Sequence, residues 1–391
     1  MTAPRDARPA IPTARSAGPA VPRGRLVLLA AGGLALLGGL TGALVLLGVP
    51  MPAGAVPLAA DHGGLMALGF LGTVIALERA VALGRRWGFA SPILAALGAV
   101  LLLVGRPAEA ALLLAGAAAC LLAVYGALAR LDRSLQLGVQ AAGAGAWLVA
   151  AALLAFAIPV AAVTPWLAAF LVMTVAGERL DLARLGLLDM LVRRRFIAAT
   201  LLFVAGVTAS LAAPDLGVRV AGLGLLAMAT WLVRHDLARR TVRIPGATRY
   251  IALCLLTGYA WLVVDGATWA LTGLAPGAAY DARLHALFLG FVISMVFGHA
   301  PVIVPAVLRV PLPYRPRFYA QLVLLHVGLV IRVFGGDLLG IRDAFVAGGI
   351  LGVVELLVFV GSSAAASIGE IRRRRSIQTA RAAMVGGSAR G

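Results

Sequence analysis

The sequence predicts an all-α, polytopic membrane protein with about twelve transmembrane helices. Three observations carry this. First, 61% of the 391 residues are hydrophobic and 13% are charged, with a mean hydropathy of +0.98, far outside the composition of a soluble domain. Second, the apolar residues fall into runs of roughly 17–26, the length a bilayer core requires of a helix. Third, the basic residues, all of them Arg, alternate in density from one inter-run segment to the next.

Each run can be justified in turn. The first, 26–48, is too long for the apolar core of a typical cleaved leader. The second, 58–83, opens on Asp61-His62 and closes on Glu78-Arg79. Runs at 90–105, 108–129 and 135–157 are nearly free of charge and separated by short polar turns. The sixth, 164–180, ends on Glu178-Arg179, and the seventh and eighth cover 196–213 and 216–233. The ninth, 248–273, holds Asp265; the tenth, 283–305, holds His285 and His299. The eleventh, 318–335, contains His326 and ends at Arg332, and the twelfth, 342–365, contains Glu355.

With the N-terminus inside, 29 of the 34 arginines fall on the inner side, leaving Arg106, Arg219, Arg283, Arg332 and Arg342 outside. That is the positive-inside pattern, and it predicts cytoplasmic N- and C-termini. The net charge of +18 is thereby spent on orientation. A nucleic-acid partner, which needs the charge gathered on one soluble face, is not expected. The domain plan is a disordered basic cytoplasmic tail over 1–25, a membrane domain over 26–365 and a basic cytoplasmic tail over 366–391. The lipid bilayer is the one partner composition alone demands. Cys120 and Cys254 stand alone inside apolar runs and form no disulfide or zinc spacing.

Runs two, six and ten share a pattern. Gly69-Phe70 precedes Glu78, Phe170 precedes Glu178, and Gly290-Phe291 precedes His299 at matching intervals. Each stands four runs after the one before, which predicts three four-helix units around a pseudo-three-fold axis.

His62 and His285 are the principal candidates for chemistry. Each lies about one turn inside the outer end of its helix, and imidazole in a bilayer is costly enough to imply a ligand. Two at matched depth fit the axial ligands of one b-type haem. Met66, one turn below His62, would pack on the porphyrin edge, and Arg332 and Arg283 would neutralise the propionates. The competing account has each imidazole hydrated at the helix start and bonded to its neighbouring aspartate. A second haem would draw on His299 and His326.

Glu78, Glu178 and His299, neutralised by Arg79 and Arg179, predict a polar cluster near the inner surface. It either pins helices together or relays protons, and the second option opens an alternative function as a haem-free transporter or proton-coupled permease. His235, on an Arg-rich loop, is expected to be solvated. No phosphate loop, activated nucleophile or zinc motif is present, and without Cys-x-x-Cys-His a covalently attached haem is not expected.

His62…Met66…Gly69-Phe70 and His285-Ala286-Leu287…Gly290 resemble the NnrS family of bacterial membrane proteins. The resemblance implies a place in the bacterial cytoplasmic membrane, haem, and a part in the response to nitric oxide and nitrosative stress. Family members open the second span on His-x-His, whereas this chain has Asp61-His62, so copper is not expected. The layout is also similar to subunit I of haem-copper oxidases, where histidines on the second and tenth spans hold a low-spin haem. Spans six and seven carry no histidine, so oxygen reduction of that kind is not expected. The resemblance implies electron transfer, with a respiratory or periplasmic redox partner.

Overall fold

The computed structural model describes residues 22–183 and 189–388, and among these every regular element is helical. The rods, in order, are α1 (Arg23–Leu46), α2 (Ala53–Leu83), α3 (Arg86–Leu103), α4 (Pro107–Ala129), α5 (Leu135–Ala155) and α6 (Val160–Ala183). They continue as α7 (Met190–Ala209), α8 (Pro214–His235), α9 (Ala247–Thr272), α10 (Ala278–Leu308), α11 (Phe318–Leu338) and α12 (Arg342–Ser388).

Among the described residues, 11 of these rods are long and apolar enough to cross a membrane. The exception is α7, which begins among Arg193, Arg194 and Arg195. Leu112, Leu201, Val302 and Leu357 project outward from their helices, as suits side chains facing lipid. The basic tail expected over 1–25 lies outside the described residues as far as residue 21. At the other end, the segment read as a tail continues α12 as far as Ser388, and the rest of it lies outside the described residues. That helix has 47 residues and would reach about 70 Å at 1.5 Å per residue.

Chain neighbours pack in pairs: α3 on α4, α4 on α5, α5 on α6, α7 on α8, α8 on α9 and α11 on α12. Glycine sets how closely they approach. A Cβ at Gly206 would lie 2.2 Å from the Ala221 nitrogen and one at Gly217 2.2 Å from the Ser210 nitrogen, so the α7–α8 hairpin needs both positions bare. The middle of the fold belongs to α6, the most enclosed of the spanning helices, with α10 touching both α6 and α2.

Three rods depart from the α-helical ladder. Residues Leu65–Gly72 of α2, Ala286–Ile293 of α10 and Val330–Leu338 of α11 wind as π-helix. In α2 and α10 the wide turn opens four residues before the Gly-Phe pair in both cases. Their shared register is therefore backbone as well as sequence. In α6, Pro165 occupies the corresponding distance before Phe170 and lies inside the helix, where its missing N–H also breaks the ladder. π-turns inside helices concentrate at functional sites, and these three rods supply His62, His285 and Arg332.

Candidate functional site

A cavity of about 500 Å³ lies between α1, α2, α6, α10, α11 and α12, within the range typical of ligand pockets. His62, Met66, His285 and Arg332 all line it. Arg283 does not line it; its guanidinium donates to the Gly273 carbonyl and stacks 5.2 Å from the Tyr280 ring centroid. One of the two expected propionate partners is therefore turned toward the α9 C-terminus.

Both cavity histidines are anchored through Nδ1. His62 Nδ1 donates to the Gly39 carbonyl at 2.7 Å. His285 Nδ1 donates to the Asp281 carbonyl at 2.9 Å and lies 3.1 Å from Asp281 Oδ2. Because these carbonyls only accept, Nδ1 carries a proton, and in the neutral ring the lone pair is on Nε2. A histidine that donates one ring N–H to a carbonyl or carboxylate is oriented to ligate through the other. The hydrogen bond to an aspartate expected of both rings forms only at His285, with the residue one turn earlier. Asp61 is not the partner of His62.

The other two intramembrane histidines are committed differently. His299 Nδ1 donates to the Met295 carbonyl at 2.7 Å, and its Nε2 accepts from Arg179 Nη1 at 3.4 Å. His326 Nδ1 accepts from Trp261 Nε1 at 3.0 Å. Its Nε2 therefore carries the proton and is buried without a partner. The structure thus gives His299 and His326 to separate networks. Among the described residues, no group of three or more His, Cys, Asp or Glu is arranged to hold a metal ion.

The partner of Asp281 that sequence reasoning missed is Arg332. The carboxylate of Asp281 accepts from Arg332 Nε at 2.9 Å and Nη2 at 2.8 Å, a two-pronged pair, while also holding His285. Arg332 is 7% exposed and stacks 4.3 Å from the Phe345 ring centroid. Its seat depends on glycine: a Cβ at Gly349 would lie 2.4 Å from Arg332 Nη1. Gly39 is similarly constrained, since a Cβ there would lie 2.7 Å from Met66 Sδ. Apolar and small residues complete the lining, with Thr164 and Tyr280 hydroxyls paired at 3.2 Å on one wall.

At the arginine-rich end the polar cluster forms in two halves. Arg79 Nη2 bonds Glu78 and reaches Glu178 at 3.3 Å, while its Nη1 reaches Gln140 at 3.4 Å. Arg179 is taken by Asp236, with Nε at 2.7 Å and Nη2 at 3.0 Å. Tyr259 donates to the same carboxylate at 2.8 Å. Asp236 is 3% exposed; its place in a charged loop sequence gave no sign of that. These bonds tie α2 to α5 and α6, and α6 to α10 and the α8–α9 connection.

Comparison with known proteins finds a match over residues 25–368 to the model of a domain of unknown function, DUF8744. No curated protein and no solved structure matches the chain. That match runs from α1 to residue 368 of α12 and includes both cavity histidines. The chain belongs to the DUF8744 family.

Proposed function

We propose that this is a haem-binding, cytochrome-like membrane protein that holds one low-spin haem b between His62 and His285. Its role is electron transfer or the response to nitric oxide, as the likeness to the NnrS family implies. One observation carries the reading. Of the four intramembrane histidines, only His62 and His285 combine an anchored Nδ1, an uncommitted Nε2 and a place on a shared cavity wall.

The residues present fit the group. The two imidazoles supply the axial nitrogens, Met66 and Phe288 supply apolar walls, and Arg332 supplies a cation at the rim. Arg332 keeps Nη1 available beyond its two bonds to Asp281. When bound, the haem would supply a one-electron couple. The chain's own part is to orient two imidazoles, keep the site apolar and fix the charge beside it. A twelve-span count, with both termini cytoplasmic in a bacterial inner membrane, belongs to the same reading.

The permease alternative would use Glu78, Glu178 and His299 along a path. Arg79 and Arg179 close that cluster on itself, which favours a structural pin. The deciding experiment is the absorption spectrum of the detergent-purified protein from haem-replete cells, oxidised and reduced. A Soret band with sharp reduced α and β bands, lost in His62→Ala and His285→Ala, is expected. A colourless wild type would overturn the reading and bring transport forward.

A further inference from the structure

A second recess lies far from the histidines, where the connection into α11 meets α12. It encloses about 380 Å³ and is lined by Arg315, Pro316, Arg317, Ala365, Ala366 and Gly369. We propose that it binds the phosphate of an anionic phospholipid from the membrane leaflet on the arginine-rich side.

Charge is the first argument. The carboxylate within reach, Glu370, is 5% exposed and already shared. It accepts from Arg373 at 3.0 and 2.9 Å and from Arg374 at 3.0 Å, and Arg315 Nη2 stands 3.8 Å away. Each guanidinium carries five N–H donors, and two carboxylate oxygens cannot satisfy three of them. Arg317 uses one prong on the Ser362 carbonyl at 3.3 Å. Arg372 and Arg375 add further positive charge with no acid beside them in sequence. The recess therefore has donors in excess, on rigid helix-flanking positions.

Depth is the second. α12 starts at Arg342, and a bilayer core of about 30 Å uses about 20 helical residues. That places Ser362 to Glu370 at the membrane surface, level with the start of α11 at Phe318. Phospholipid phosphates lie at this level, and basic pockets between helices there are suited to anionic headgroups. Shape is the third. Ala365, Ala366 and Gly369 give a wall almost without side chains, and nothing lies within 4 Å of a Cβ built at Gly369. The space is open to a headgroup, with acyl chains running down the apolar flank of α12.

The test is native mass spectrometry of the full chain in mild detergent, titrated with phosphatidylglycerol, phosphatidylcholine or inorganic phosphate. Wild type should retain phosphatidylglycerol in preference to phosphatidylcholine. At about 1 kcal/mol per arginine near the surface, Arg315→Gln/Arg317→Gln should weaken retention roughly thirtyfold. Gly369→Leu, which fills the recess on a helix face with room for it, should do the same with the arginines intact. Equal retention of both lipids, or no change in either variant, would overturn the proposal. So would displacement by millimolar inorganic phosphate, which would make the site one for the free anion.

Discussion

Arg332 grips both carboxylate oxygens of Asp281, at 2.9 and 2.8 Å, from the helix that follows it in the chain. The consequence passes to His285, whose ring is held by the same aspartate. A cation on α11 thereby sets the orientation of an imidazole on α10.

Asp281→Asn keeps the shape of this link and removes its negative charge. The proposed haem should remain bound, and its reduction potential should rise by tens of millivolts. That is the scale of the effect of losing one charge from the wall of the site at an effective dielectric near 20. Loss of a negative charge disfavours the more positive, oxidised iron, which fixes the sign. Redox titration of the Soret band checks it, and an unchanged potential would remove Asp281 from the role.

Gly349→Ala should act on the same link through sterics. Its new methyl group would meet Arg332 Nη1 and Leu47, so haem retention should fall several-fold on size-exclusion chromatography. Gly361→Ala, with nothing within 4 Å, should change neither retention nor thermal stability by more than about 1 kcal/mol.

Arg179→Ala should be among the most damaging single substitutions at the arginine-rich end. It leaves Asp236 buried without its cation, a change worth about 3–5 kcal/mol. Arg79→Ala should cost less, because Glu78 and Glu178 are each about 20% exposed and water can reach them. Thermal unfolding of the two variants side by side would show the order; the reverse order would mean that the Glu78 half carries the greater load.

Haem stoichiometry discriminates further. One haem per chain is expected by pyridine haemochrome assay. His299→Gln and His326→Leu should leave the spectrum intact, since one ring binds Arg179 and the other Trp261. A second haem lost in either variant would restore those residues to the site.

Much of this was readable from sequence because bilayers enforce simple rules. Length and apolarity located the rods, and costly imidazoles marked His62 and His285. The Glu78–Arg79–Glu178 junction followed from like positions on α2 and α6. What escaped was geometry between distant segments. That Gly39 would offer its carbonyl to His62, or Asp236 would leave its loop to receive Arg179, depends on packing that no local pattern encodes. Arg283 illustrates the converse. It lies two residues from His285, but two residues on a helix is about 200°, and its side chain points elsewhere. The i−4 relation of Asp281 to His285 was legible, whereas the pairing of Asp281 with Arg332 across two helices was not.

The π-turns of α2 and α10 also bear on side-chain direction. A π-turn accommodates more chain than the same rise of α-helix. Residues beyond it are therefore rotated away from where an unbroken α-helix would carry them. Both turns occupy the same register relative to Gly-Phe, so the directions of Glu78 and His299, at the far ends of the two helices, are offset alike by backbone geometry near the histidines.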